Sequence, residues 1–135
     1  MAMQMTMWDV PDRDVIGFAV NPSDFCETLL NGKEVFGFTD GQIGITDVIL
    51  AFANRIKAAR MILSTWTAAK ADMGKVYNLL DAGKITAARW IVDRSFKNRQ
   101  PQLCDRLRHL FGDEAIRVGR VHAKFCMLQN DKGLS

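Results

Sequence analysis

The sequence predicts an α/β protein in which a mostly parallel sheet is flanked by helices. From residue 34 onward, apolar runs of strand length alternate with segments whose apolar residues recur every three or four positions. The links between these segments are short, as they are where helices join parallel strands. Hydrophobic residues make up 48% of the 135 residues and charged residues 24%, which is typical of a folded globular domain.

Residues 1–33 are predicted to form an N-terminal arm, and residues 34–135 the α/β domain. Proline and glycine interrupt the arm, whose one predicted helix is Ser23–Leu30, with Ser23 as its N-cap. We expect the arm to pack on the domain or to dock on a larger assembly. The first nine residues have no basic flank and no long apolar core, so no secretory signal is predicted and the expected location is cytoplasmic.

In the first half of the domain, each apolar segment is bounded by residues that favour turns or helix caps. The second strand has an apolar interior, which is typical of a strand buried on both faces. The elements predicted here are a strand (Glu34–Phe38), a turn (Thr39–Gln42), a helix capped by Thr46, a strand (Arg60–Trp66), and a helix capped by Asp72 and ended by Gly83.

In the second half, an apolar strand is followed by a basic loop, and a proline suited to a first helical turn comes next. The elements predicted here are a strand (Ile85–Asp93), a loop (Arg94–Gln100), a helix that begins at Pro101 and ends near Gly112, and two final strands (Ala115–Gly119 and Val121–Leu128).

Several classes of protein are disfavoured by the sequence. No apolar run approaches the roughly 20 residues of a membrane span. The three cysteines are odd in number and widely spaced, so we expect free thiols rather than disulfides or a zinc site. The glycine-rich and nucleophile motifs GxGxxG, GxxxxGK[ST] and GxSxG are absent from the chain. No metal and no cofactor are predicted.

The net charge of the whole chain is +3, and the basic residues lie mostly in its second half. Such a skew suits a polyanionic partner, and we expect nucleic acid. Ligands of open α/β sheets gather at the carboxyl ends of the strands, where arginine can bind phosphate through two hydrogen bonds. Trp90 is interpreted as a core residue, and packing is favoured over a binding role for Trp66, which lies just past the end of a predicted strand. The candidate phosphate contacts in loops that follow strands are Lys70, Arg94, Ser95, Lys97 and Arg99.

Two histidines are present, and only one of them has a chemically suggestive neighbour. His109 lies between Arg108 and Leu110 on a predicted helix and is expected to be an ordinary surface residue. His122 and Lys124 are two positions apart on the predicted last strand, so both side chains should share one face. A neutral imidazole can attack phosphorus or relay a proton, while an ammonium binds the oxygens on which negative charge develops.

The chain resembles the phospholipase D superfamily, whose motif is His-x-Lys-x4-Asp on a strand late in each half-domain. The resemblance runs from about Val35 to the C-terminus. It is carried by the segments GFTDGQ, RMILSTWTAA and DAGKITAARWIVDRSF, which lead to VHAKF. In their general sequence character, these segments resemble the branch of the superfamily found in phages and mobile elements rather than the lipid-hydrolysing enzymes.

The resemblance implies that His122 forms a phosphohistidine intermediate, that Lys124 binds the phosphate, and that no metal is needed. It also implies two facing motifs, which a homodimer of this chain would provide by pairing its last strands. The motif aspartate should be at Gln129, with Asp131 two residues later as a substitute. A downstream Gly-Ser-x-Asn segment is missing, so the half-domain is expected to be truncated at its C-terminus.

Two functions therefore stand as expectations. The first is a metal-independent phosphodiesterase (a hydrolase of the nuclease kind) acting on nucleic acid. The second is a catalytically silent binding or assembly module on the same scaffold. A lipid phosphodiesterase is disfavoured, because the sequence has neither an amphipathic insertion helix nor a second motif.

Overall fold

The structure is a computed structural model that describes residues 13–16, 22–23, 26–27, 34–37, 43–56 and 59–130. Contacts divide the chain into two compact units, residues 1–48 and residues 49–135. Two short strands, β1 (Arg13–Ile16) and β2 (Glu34–Gly37), pair in parallel in the first unit. The strand predicted at Glu34–Phe38 is thus present as far as Gly37.

Strand β1 was not predicted, because four residues between a proline and a glycine are too few to display a period. Of the predicted helix Ser23–Leu30, residues Ser23, Cys26 and Glu27 are described and are helical. Its other residues, and the predicted turn Thr39–Gln42, lie outside the described residues.

Helices and strands alternate through the rest of the chain. The order is α1 (Ile45–Arg55), β3 (Ala59–Thr65), α2 (Lys70–Asp81), β4 (Ile85–Asp93), α3 (Phe96–Arg99), α4 (Pro101–Phe111), a single 3-10 turn (Asp113–Ala115), β5 (Ile116–Gly119) and β6 (Phe125–Gln129).

The four strands of the second unit form one sheet in the order β5-β4-β3-β6. The pairs β3–β4 and β4–β5 are parallel, whereas β3 and β6 are antiparallel. The α/β prediction is therefore confirmed, but the sheet is mixed, so the mostly parallel prediction holds only in part. Residues 120–124 alone separate β5 from β6, and a parallel return needs a crossover of a dozen or more residues, so the chain returns antiparallel.

One face of this sheet, called the inner face here, packs against the helices. Trp90 is 1% exposed and makes a tilted ring contact with Phe111 of α4, with ring centroids 5.2 Å apart. The prediction that Trp90 belongs to the core is confirmed. The same cluster contains Met61, Leu63 and Leu128 from the sheet and Ile49, Ala53, Met73, Val76, Leu79 and Leu107 from the helices.

The opposite, outer face of the sheet is only partly covered. Along β3, Met61 and Leu63 are buried, whereas Arg60 is exposed and Ile62 is half-buried. On β6, Met127 points to the outer face and is 49% exposed. The outer face of this strand is thus buried at Ser64 but exposed at Arg60, so the prediction that the strand at Arg60–Trp66 is buried on both faces holds only in part.

The helix ends show which of the predicted caps form. Helix α2 ends at Asp81, and Gly83 supplies the predicted left-handed stop, since its φ of 71° permits the Lys84 N–H to donate to Leu79 O at 2.9 Å. Asp72 and Thr46 are not caps, because both lie inside the first turn of their helices. Asp72 is still well placed there, since a carboxylate is stabilised near a helix N-terminus. No helix in the described ranges has the length and apolar character needed to cross a membrane.

The cysteines are free thiols in this fold. Burial raises the pKa of the Cys126 thiol to about 12, so this thiol stays protonated at neutral pH. A protonated, half-buried thiol contributes apolar contact and has little reactivity. Cys126 therefore serves as a small packing residue beside the core.

Two methionines on neighbouring strands test the assignment of the two faces. Met61→Ala should lower the free energy of unfolding by about 2–5 kcal/mol, because it leaves a cavity in the core. Met127→Ala, on the outer face, should lower it by less than about 1 kcal/mol. Urea denaturation followed by circular dichroism measures both, and equal losses would contradict the assignment.

Candidate functional site

The segment Arg120–Lys124, called the crossing segment here, connects the two edges of the sheet by passing over the ends of β4 and β3. Two side chains at those strand ends bind its backbone. The Val121 N–H donates to Asp93 Oδ1 at 3.0 Å, and the Ser64 hydroxyl donates to the Ala123 carbonyl at 2.9 Å. Asp93 and Ser64 are both buried. The crossing segment is therefore held at one point on each of the two parallel strands.

His122 lies between these two points of attachment. It is consequently at the edge where β3 and β4 have their carboxyl ends, which is where ligands of such sheets collect. The His122 and Lys124 side chains are both exposed. The predicted strand Val121–Leu128 begins only at Phe125, because the backbone before it bonds to side chains of β4 and β3 instead of a neighbouring strand.

Trp66, directly after β3, contacts His122. The two rings are stacked, with centroids 5.8 Å apart and planes inclined by 26°. The Arg99 guanidinium lies over the Trp66 ring at 3.7 Å from its centroid, and its Nη2 donates to the Trp66 carbonyl at 3.1 Å. Trp66 is 36% exposed, so packing, the role that the sequence favoured, accounts for only part of its surface. A cation over an aromatic face and a second ring beside it restrict the indole to one orientation.

Asp93 connects this stack to the crossing segment. Its Oδ2 accepts hydrogen bonds from the Ser95 hydroxyl and from the Ser95 N–H, the latter at 2.9 Å. The Ser95 oxygen in turn accepts from Arg99 Nε at 3.0 Å. The Ser95 hydrogen bonds, then the Val121 N–H, and to a smaller extent the nearby charge of His122 hold the pKa of Asp93 well below its usual range. Asp93 is thus ionised at neutral pH.

The predicted phosphate contacts fall into two groups. Ser95 and Arg99 belong to the Asp93 hydrogen-bond network, in which the Ser95 hydroxyl and the Arg99 Nε and Nη2 atoms already have partners inside the protein. Arg94, Lys97 and Lys70 are exposed at the same edge, with Lys70 at the first position of α2. The segment Arg94–Gln100 is not a loop throughout, because Phe96–Arg99 forms the short helix α3 around the buried Phe96.

The candidate third member of the motif is not at this edge. Gln129 is the last residue of β6 and pairs with Arg60 at the start of β3. It lies about 13 Å along the strand from Phe125, given the rise of an extended chain. Asp131 is outside the described residues. His109 is exposed on α4, as predicted for a surface residue.

Two residues at this site escaped the sequence analysis. The sequence signal for Asp93 is a carboxylate at the end of a largely apolar strand. A carboxylate is stable at a buried strand end only if the fold supplies hydrogen-bond donors. Ser64, a polar residue within an apolar run, carried the same signal. Neither signal identifies the hydrogen-bond partner, which lies in the crossing segment, 28 residues from Asp93 and 59 residues from Ser64.

Comparison with models of known protein families, with curated proteins and with solved structures finds no match to this chain. Across the described ranges, no group of three or more His, Cys, Asp or Glu side chains is arranged to hold a metal ion. The candidate site therefore consists of His122, Lys124, Trp66 and Arg99 on a frame made by Asp93, Ser95 and Ser64.

The hydrogen bonds of Asp93 predict a pH dependence of stability. Because its pKa is lower in the folded than in the unfolded chain, ionised Asp93 stabilises the fold at every pH above about 4 and loses this effect below it. Asp93→Asn should therefore be less stable than the wild type at neutral pH, and the difference should shrink as the pH falls below about 4.

Urea denaturation at a series of pH values measures this difference. Asp105→Asn, which removes one negative charge from an exposed position of α4, controls for net charge. A difference between wild type and Asp93→Asn that stays constant down to the acid limit would contradict the role given to Asp93.

Proposed function

We propose that this chain is a phospholipase D-like half-domain that hydrolyses phosphodiester bonds of nucleic acid through a covalent intermediate on His122. The observation that carries the proposal is the position of His122, exposed between two fixed points at the carboxyl ends of β3 and β4. Lys124 is exposed on the same segment and would bind the non-bridging oxygens of the phosphate.

The reaction would proceed in two displacements. In the first, the lone pair of the His122 imidazole forms a P–N bond, and the bond between phosphorus and the leaving oxygen breaks. A second imidazole gives its proton to that oxygen. In the second, a water oxygen attacks phosphorus, the P–N bond breaks, and the water proton returns to the second imidazole. The sum is the addition of one water across one phosphodiester bond.

A homodimer would supply the second imidazole. The described part of the chain has two histidines, and His109 is on α4 rather than on the crossing segment. His122 of a second copy, related by a two-fold axis, would therefore act as the proton donor. The active enzyme would contain two equivalent histidines that exchange roles according to which strand of substrate is cut.

Nucleic acid suits the charges that surround His122. Lys70, Arg94 and Lys97 are exposed at the same edge, and phosphate groups along a strand would neutralise them. Trp66 is stacked with His122 and covered by the Arg99 guanidinium, so its indole supports the site instead of offering a free surface. A polyanion with regularly spaced phosphates matches the exposed cations.

Substitution of the two motif residues tests the chemistry. His122→Ala should abolish cleavage of labelled single- and double-stranded DNA in EDTA, and Lys124→Ala should reduce it on the order of 10²–10³-fold. His109→Ala is the matched control, because it removes the other, exposed histidine, and it should cleave at the wild-type rate. The proposal is falsified if His122→Ala cleaves as fast as wild type, or if a dimeric wild-type preparation has no activity.

Mixed dimers test whether two copies share one active site. If both histidines are needed, activity should fall as the square of the wild-type fraction when His122→Ala is mixed in at constant total protein. If each copy works alone, activity should fall in proportion to that fraction. Native mass spectrometry, which separates the mixed dimer from the two parent dimers by the mass of one side chain, confirms that subunits have exchanged before each assay.

Gln129 favours a second candidate function, a catalytically silent binding or assembly module. It replaces the motif aspartate and lies at the far end of β6. Such a module would bind nucleic acid equally well with and without the His122 imidazole. Equal retention of wild type and His122→Ala in a DNA pull-down, together with no cleavage by either, would favour this function over the first.

A further inference from the structure

A cavity of about 140 Å³ lies beside the site, between the ends of β4 and β5 and the helices α3 and α4. The sheet side of the cavity is apolar and is formed by Val92, Ile116 and Val118. Cys104 of α4 contributes to the opposite wall. Val118 is 66% exposed, so the cavity opens to solvent along β5. An apolar cavity with an open side suits a flat organic ring rather than a hydrated ion.

The charges at the mouth of this cavity favour an anion. Its two carboxylates already have partners, since Asp113 pairs with Arg108 at 2.9 Å and Asp93 accepts hydrogen bonds at both oxygens. Arg94 and Lys97 also line the cavity and are exposed. Within the described part of the chain, the side chains of these two residues have no hydrogen-bond or ion-pair partner. The lining therefore carries three cations and two carboxylates, and its excess positive charge lies with Arg94 and Lys97 at the border of the apolar floor.

The volume restricts the ring that can enter. A cavity of about 150 Å³ lined by apolar side chains holds one six-membered aromatic ring. The cavity described here has nearly that volume, which suits a single ring and is small for two fused rings. A ligand with one ring and an attached anionic group fits both the floor and the mouth.

The cavity and His122 are at the same edge of the sheet. Asp93 lines the cavity and also binds the Val121 N–H, which precedes His122 in the chain. Arg94, at the mouth, donates its N–H to Gly119 O at 2.7 Å, where β5 leads into the crossing segment. A strand whose phosphate is at His122 can therefore place a neighbouring nucleotide in the cavity.

We propose that this cavity binds a pyrimidine nucleotide next to the scissile phosphate. The base of the nucleotide lies on Val92, Ile116 and Val118, and the phosphate of the nucleotide is bound by Arg94 and Lys97. The cavity is thus a subsite that makes cleavage depend on the base beside the cut. This inference rests on the proposed nuclease function for its choice of ligand class.

Protection of Cys104 from alkylation tests occupancy directly. Thymidine monophosphate at about ten times its Kd should slow iodoacetamide modification of Cys104 about ten-fold, because it fills the cavity that Cys104 lines. Cys126, outside the cavity, should stay unmodified with and without the nucleotide because its thiol is protonated and half-buried, as mass spectrometry of peptides can show. Thymidine and inorganic phosphate, each holding half of the ligand, should protect less than the nucleotide.

A charged substitution tests the same site without a thiol. Val118→Asp should weaken thymidine monophosphate binding about ten-fold or more, because it places a carboxylate against the base and near the phosphate. Met127→Asp is the matched control, since Met127 is also an exposed apolar residue but lies on the outer face. It should bind like wild type in isothermal titration calorimetry, and circular dichroism verifies that both variants are folded.

The outcomes separate this inference from the proposed function. No protection of Cys104 together with equal binding by wild type and Val118→Asp would overturn the subsite, even if DNA is cleaved. Protection by inorganic phosphate as strong as by the nucleotide would overturn the binding of a base. Binding that Val118→Asp weakens, in a protein that cleaves no DNA, would uphold nucleotide binding in the cavity but reject both the nuclease function and the cavity's role in cleavage.

Discussion

The site depends on the carboxylate of Asp93. Its oxygens bind the Val121 N–H on one side and Ser95 on the other, so a single buried group fixes both the crossing segment and the beginning of α3. A buried carboxylate is stable only when donors surround it, and here the donors come from the parts of the chain that have to be positioned. The hydrogen bonds that offset the free-energy cost of burying this charge are therefore the same bonds that fix the geometry of the site.

The mixed sheet follows from the same arrangement. The chain leaves β5 at one edge of the sheet, passes over the ends of β4 and β3, and enters β6 at the other edge. A segment of five residues can make this passage only if the next strand runs back antiparallel. Because the backbone of the crossing segment bonds to side chains, its own side chains are left at the surface. His122 and Lys124 owe their exposure to this passage.

Much of the scaffold could be predicted because its elements are long and regular. Strand β4 has the predicted bounds, Ile85–Asp93, since its apolar run is long and ends at a charged residue. Helix α4 begins at Pro101 as predicted, because proline suits the first helical turn. Strand β6 starts four residues later than predicted. The alternation in VHAKF resembles a strand, and only the tertiary partners Asp93 and Ser64 reveal that its first half is not one.

The candidate site was predictable in part. His122 and Lys124 were found from their spacing, and Arg99 from its loop. The stack of Arg99, Trp66 and His122 was not found, because it brings together residues 33 and 56 positions apart. Sequence periodicity reports which face of an element a residue occupies, and it carries no information on which strand ends meet.

The crossing segment has a consequence for how this chain can change over generations. Its attachment to the sheet uses a backbone N–H and a backbone carbonyl, which every residue except proline provides at those positions. The side chains at 122 and 124 are exposed and lie outside the core, so replacing them removes little folding energy. Substitution of both residues would therefore leave the fold in place, so selection for a stable fold would not by itself preserve the pair.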